Sequence, residues 1–200
     1  MEDDSGLSDL LRGSESRLCT GFGFTEGPVW VASDSALVFS DIPGNRAHRW
    51  RPGQTEAGVY REPSGWSNGL TLDADGNVLA CEHGGRRVSR HPYADPDCDS
   101  TVADRWNDVA LNSPNDLVVH SSGAIFFTDP TYGADTGSTP RFGQEGPKPE
   151  LVVQGVYRID TDGSLCRVVE EGVSLPSGVG WGADEAVLSG GGSRERQSWR

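Results

Sequence analysis

Nothing in the 200-residue sequence approaches the roughly 20-residue apolar run that a membrane-spanning helix needs. Its opening residues, MEDDSGLSDL, lack the basic and apolar regions of a signal peptide. These absences give the expectation of a cytoplasmic protein with no membrane partner. Basic charge is also in deficit, with a formal net charge of −13, which argues against nucleic acid or an anionic lipid surface as a partner. Cys19, Cys81, Cys98 and Cys166 are scattered with no C-x-x-C pair, so zinc and dithiol redox chemistry are not expected and the thiols should be free. Helix-period segments are nearly missing, and hydrophobic residues make up only 34% of the chain.

Turn formers are abundant: 27 Gly and 12 Pro. The stretch LNSPNDLVVHSSGAIFFTDPTYG, residues 111–133, shows how they are used. A polar turn at Ser113-Pro114-Asn115-Asp116 leads into the strand Leu117–Val119. A Ser-Ser-Gly turn then leads into the strand Ala124–Phe127, and Thr128-Asp129-Pro130 closes the unit. Oxygen-bearing side chains thereby collect at one end of a hairpin, where a hard cation or a polyhydroxylated ligand could sit.

The unit recurs. Earlier copies place strands at 28–31, 36–39 and 46–50, then at 70–72, 77–81 and 87–90, the second around the turn Asp73-Ala74-Asp75-Gly76. A later copy runs through Gly155–Ile159 to 175–181 and 186–189. Glu26, Asn68, Asn115 and Ser177 each stand just before an inner strand, at spacings of 42, 47 and 62 residues. The last interval holds a Gly- and Pro-rich insertion, residues 133–150, expected to be a surface loop or lid. A period of 40–50 residues with several short strands predicts an all-β fold of the β-propeller type, in preference to a sandwich. About four units fit, with the last unfinished and the ring incomplete. Residues 1–17 read as a loose arm, 18–189 as the partial propeller, and 190–200 as an irregular tail.

T-E-G-P-V-W at 25–30, F-S-D-I-P at 39–43, S-N-G-L-T at 67–71 and A-C-E-H-G at 80–84 form a collinear series. It continues with L-N-S-P-N-D at 111–116, F-T-D-P-T-Y-G at 127–133 and Q-G-V-Y-R at 154–158. The series resembles the senescence marker protein / gluconolactonase / luciferin-regenerating enzyme family over about residues 18–189. That resemblance implies a six-bladed propeller with one divalent cation at the top of its channel, hydrolysing sugar lactones or related cyclic esters. It implies Glu26 as a metal ligand and Asn115 as a contact to substrate or metal, with Asp116 beside it. Ser177 stands in L-P-S-G where the family places a metal-binding asparagine. The family's general-base aspartate would fall beyond Arg200, so no catalytic residue is assigned.

Oxygen ligands favour Ca²⁺, with Zn²⁺, Mn²⁺ or Mg²⁺ as alternatives. Such an ion would polarise the lactone carbonyl and activate water. Two other readings stay open: an inactive propeller fragment or binding module, and a strictosidine-synthase-like propeller. Asn68 is a turn former or a ligand-facing group. His83 is structural, solvated or an acid–base group. Asp129 and Tyr132 serve the turn or the pocket rim. The D-x-D-G turn lacks the remaining ligands of an EF-hand, and the G-x-G at 21–23 precedes strand signals, which rules out a dinucleotide loop.

Overall fold

The computed structural model describes residues 16–133, 148–169, 174–192 and 197–199. Most of the insertion at 133–150, and the arm through residue 15, lie outside the described residues.

Successive strands pair antiparallel with their chain neighbours, as short polar turns between apolar runs require. The first blade is β1 (Thr25–Val31), β2 (Ala36–Asp41), β3 (Arg46–Trp50) and β4 (Gly58–Arg61). The second is β5 (Ser67–Leu72), β6 (Val78–Glu82), β7 (Arg87–His91) and β8 (Ser100–Ala103). A small hairpin of β9 (Arg105–Trp106) and β10 (Val109–Ala110) precedes the third blade: β11 (Leu117–Val119), β12 (Ile125–Asp129), β13 (Gly155–Ile159) and β14 (Leu165–Val169). The fourth has β15 (Pro176–Trp181), β16 (Leu188–Gly192) and β17 (Gln197–Trp199). The molecule is an unclosed β-propeller. No α-helix occurs among the described residues; a single 3₁₀ turn, Ala32–Asp34, joins β1 to β2.

The expected irregular tail at 190–200 is corrected by β16 and β17. Gly190 pairs with Trp199 and Gly192 with Gln197. Backbone amides alone make that ladder, so the triple glycine that hides any side-chain alternation does not prevent pairing.

Alternation along the middle strands distributes neighbouring residues between two cores. In β6, Val78 and Ala80 pack toward blade 1 with Val31, Val38, Ala47 and Tyr60. Leu79 and Cys81 pack the other way, with Leu117, Ile125, Phe127 and Tyr157 of blade 3. All five residues of β6, and all five of β12, are therefore buried. Phe126 turns to blade 4, where its ring meets Trp181 edge-on at 4.9 Å. The four cysteines are free, and burial pushes the Cys81 thiol well above its usual range.

Polar clips reinforce the packing. Buried Glu82 of blade 2 accepts from Arg61 of blade 1 at 3.0 Å, from Arg87 at 2.7 Å and from the Ser89 hydroxyl at 2.7 Å. These partners compensate a carboxylate that would otherwise be costly to bury.

Candidate functional site

Three of the four inner strands leave regular pairing where their polar residue stands. The register shifts between Glu26 and Val29 in β1, between Ser67 and Leu70 in β5, and between Pro176 and Val179 in β15. Such irregularities re-aim side chains, and here they turn Glu26, Asn68 and Ser177 toward the axis. In blade 3 the equivalent residues sit in the turn before β11. The Asn115 amide donates to Thr128 O at 2.9 Å, and Asp116 O accepts from the Thr128 amide at 3.0 Å.

Glycines let the bulged strands touch. Gly27 has φ +56°, and a Cβ there would lie 2.1 Å from the Asn68 carbonyl oxygen. A Cβ on Gly69 would lie 2.7 Å from Asn115 O; the Gly69 amide instead donates to that oxygen at 2.8 Å. Blade 4 closes on blade 3 through the Val179 amide, which donates to Asp116 Oδ2 at 2.9 Å, and the Thr128 hydroxyl, which donates to Ser177 O at 2.7 Å.

These contacts frame a cleft of about 650 Å³. Glu26, Asn115, Asp116 and Ser177 all line it, so the four residues taken from the sequence come together from blades 1, 3 and 4. Asn68, His83 and Tyr132 join them, and Phe24, Ile42 and Leu70 supply apolar wall. Ser177 Oγ donates to Asn115 Oδ1 at 3.4 Å. Tyr132 donates its hydroxyl to Leu175 O at 3.1 Å. Asp129 does not face the cleft. It is fully buried and accepts from the Asn112 and Ser113 amides at 2.8 Å each, fixing the turn that presents Asn115.

Burial raises the pKa of Asp116. Hydrogen bonds from the Val179 and Leu117 amides pull it back, and the charge of Glu26 raises it further. A cation beside Asp116 would oppose that rise and favour its ionised form. Glu26, Asn115 and Ser177 offer only oxygen, which suits a hard divalent ion. The set carries one carboxylate, and no group of three or more His, Cys, Asp or Glu side chains fit for a metal occurs among the described residues. The residues thus fit a cation in kind, with few charges.

Comparison with known proteins places this architecture. The family model described as SMP-30/Gluconolactonase/LRE-like region matches residues 24–200. The chain belongs to the SMP-30/gluconolactonase/LRE-like family. A gluconolactonase of Zymomonas mobilis is 35% identical over 181 residues, covering 82% of this chain and 48% of that protein. A pentonolactonase of Haloferax volcanii is 30% identical over 165 residues, covering 80% and 46%. The solved structure of a gluconolactonase from Xanthomonas campestris superposes with TM-score 0.80 at 34% identity, over 90% of this chain and 59% of that one. The chain spans about half the length of the curated relatives it matches.

In this member of the family, the group hardest to find from sequence is His83. It lies in the loop after β6, three residues before the positive-φ residue Arg86, and only the fold brings it beneath Asn68 and Asn115. The alignment of successive units was the available signal for Asn68, since it occupies the slot of Glu26 and Asn115.

Proposed function

We propose that the cleft is the cation and substrate site of a sugar-lactone hydrolase. The observation that carries the proposal is the convergence of Glu26, Asn115, Asp116 and Ser177, distant in sequence, on one cleft. The family and its lactonase relatives support the same reaction class. A bound divalent ion supplies Lewis-acid polarisation of a lactone carbonyl and a lower pKa for bound water. Glu26, Asn115 and Ser177 would hold it, with Ca²⁺ the best match to neutral and carboxylate oxygens and Mn²⁺, Mg²⁺ or Zn²⁺ as alternatives.

The chain's own side chains perform the binding work. Asn115, placed by its backbone bonds to blades 2 and 3, presents its amide to a polyhydroxylated ligand. Asp116 is held by two amide donors and adds negative charge beside Glu26. Phe24, Ile42 and Leu70 exclude water from one side of the ring of a bound lactone.

Thermal unfolding with Ca²⁺, Mn²⁺ and Zn²⁺, on the chain and on Glu26→Ala, tests the reading. At one hundred times its dissociation constant an ion stabilises by about 2.7 kcal/mol. A metal-dependent rise in melting temperature that disappears in Glu26→Ala supports the site; indifference to every ion removes it. A binding module without turnover is the second reading, favoured by Ser177 at the asparagine slot and the low carboxylate count. Ion binding without acid release from a sugar lactone would select it.

A further inference from the structure

We infer that His83 is a positioning residue: its Nε2 holds the amides of both Asn68 and Asn115 so that their carbonyl oxygens face the cleft, making Asn68 Oδ1 a further oxygen of the site. Asn68 Nδ2 lies 3.3 Å from His83 Nε2, and Asn115 Nδ2 lies 3.4 Å from the same atom. All three residues line the cleft yet are buried, at 7%, 3% and 7% exposure for Asn68, His83 and Asn115. A ring nitrogen receiving two N–H groups must carry a lone pair, which places the proton of the neutral ring on Nδ1. Each amide that spends its NH₂ on the ring turns its oxygen away from it. Asn115 Oδ1 then receives the Ser177 hydroxyl. No protein group among the described residues donates to Asn68 Oδ1, although the residue is more than nine-tenths buried and lines the cleft.

The alternative arrangement has the opposite chemistry. A proton on Nε2 would face both amide oxygens and send two NH₂ groups into the cleft. A donor-lined wall suits an anion, whereas carbonyl oxygens beside Glu26 and Asp116 suit a cation or the hydroxyls of a sugar. One ring tautomer therefore sets the polarity of a wall built from two blades. Gly69 holds the geometry, because its amide bonds Asn115 O and leaves the two side chains side by side.

The inference rests on the proposed cation and lactone site, and its test has an arm that does not. Two variants separate positioning from packing. His83→Phe keeps a ring and removes the acceptor; His83→Gln offers an amide oxygen in its place. Ca²⁺ binding is measured by calorimetry with calcium chloride, below the melting temperature of each variant. Loss of a partner that orients a ligand costs about 10–100-fold in metal affinity. The Phe variant should weaken Ca²⁺ by that factor and the Gln variant should recover most of it. Equal Ca²⁺ affinity in wild type and His83→Phe, with only the melting temperature lowered, would overturn the inference. The second arm is ¹⁵N NMR of histidine-labelled protein without metal, which should show Nε2 bare and Nδ1 protonated. A proton on Nε2 overturns the inference whatever the calcium result. A wild type that binds no Ca²⁺ but shows bare Nε2 would remove the proposed cation site and leave the positioning of the amides standing.

Discussion

Asp129 and His91 pull the stability of the molecule in opposite directions across acid pH. Burial pushes Asp129 up to about 7, with the Asn112 and Ser113 amides opposing. A carboxyl that binds its proton more tightly when folded contributes stability below its unfolded pKa of about 4 and loses it as pH climbs toward 7. Burial, aided by the positive charge of Arg61, lowers His91 to about 4. A histidine kept neutral in the fold opposes folding in acid, so its contribution grows between about pH 4 and 6.5. Asp116 acts in the sense of Asp129, and His48, lowered chiefly by burial, in the sense of His91. Asp129→Asn should therefore steepen the rise of stability with pH between 4 and 6.5, by up to about 1.4 kcal/mol per pH unit. His91→Phe should flatten or reverse it. Neither ring nitrogen of His91 has a hydrogen-bond partner among the described residues, so that variant should also hold or gain stability at pH 7. Urea unfolding at several pH values checks both, and unchanged slopes would sink the account.

At the level of strands, the site depends on bulges and on glycines that let bulges meet. Gly27→Ala puts a methyl group 2.1 Å from a backbone oxygen at φ +56°, and the atoms it meets are all β5 backbone, which leaves little room to yield. The expected loss is about 3 kcal/mol or more, with the cleft opened. Gly76, at φ +80° in the turn between β5 and β6, has open space around it. Gly76→Ala should cost only the left-handed penalty of about 1–2 kcal/mol. Similar losses for the two in urea unfolding would mean that interstrand contact at Gly27 adds nothing beyond conformation. The same comparison shows what was legible in the sequence. Inner and middle strands were visible because apolar alternation and Gly-containing turns mark them. Outer strands were not: β4 and β8 are short and half exposed, β14 has no buried residue, and β17 follows a glycine run, so their pairing comes from tertiary context. Glu26, Asn115 and Ser177 line up before strands of a recurring unit, but their roles, and that of Asp116, come from the resemblance to the family's motifs. His83 could not be assigned, since a lone loop histidine carries no period and its two amide partners come from different blades.

The whole molecule is a stack of blades whose ring is open, and the open flank of blade 1 shows the consequence. Pairing of Trp30 with Leu37, and of Leu37 with Trp50, sets three large apolar side chains in a row across β1, β2 and β3. Neighbouring positions on those strands feed the core shared with blade 2, so this row faces the side that no blade among the described residues covers. Phe22 folds over part of that side and packs edge-on against Phe39 at 5.0 Å, but Trp30 remains 48% exposed. An exposed apolar patch on a sheet face lowers its free energy by covering itself, and at high concentration another copy of the chain is the nearest cover. The 200-residue chain should therefore self-associate with rising concentration in sedimentation velocity. Trp30→Glu should suppress that association while changing the unfolding free energy by about 1 kcal/mol or less, because a half-exposed ring contributes little to the core. A wild type that stays monomeric at every concentration, or a Trp30→Glu chain that associates equally, would show that this row is not an associating surface.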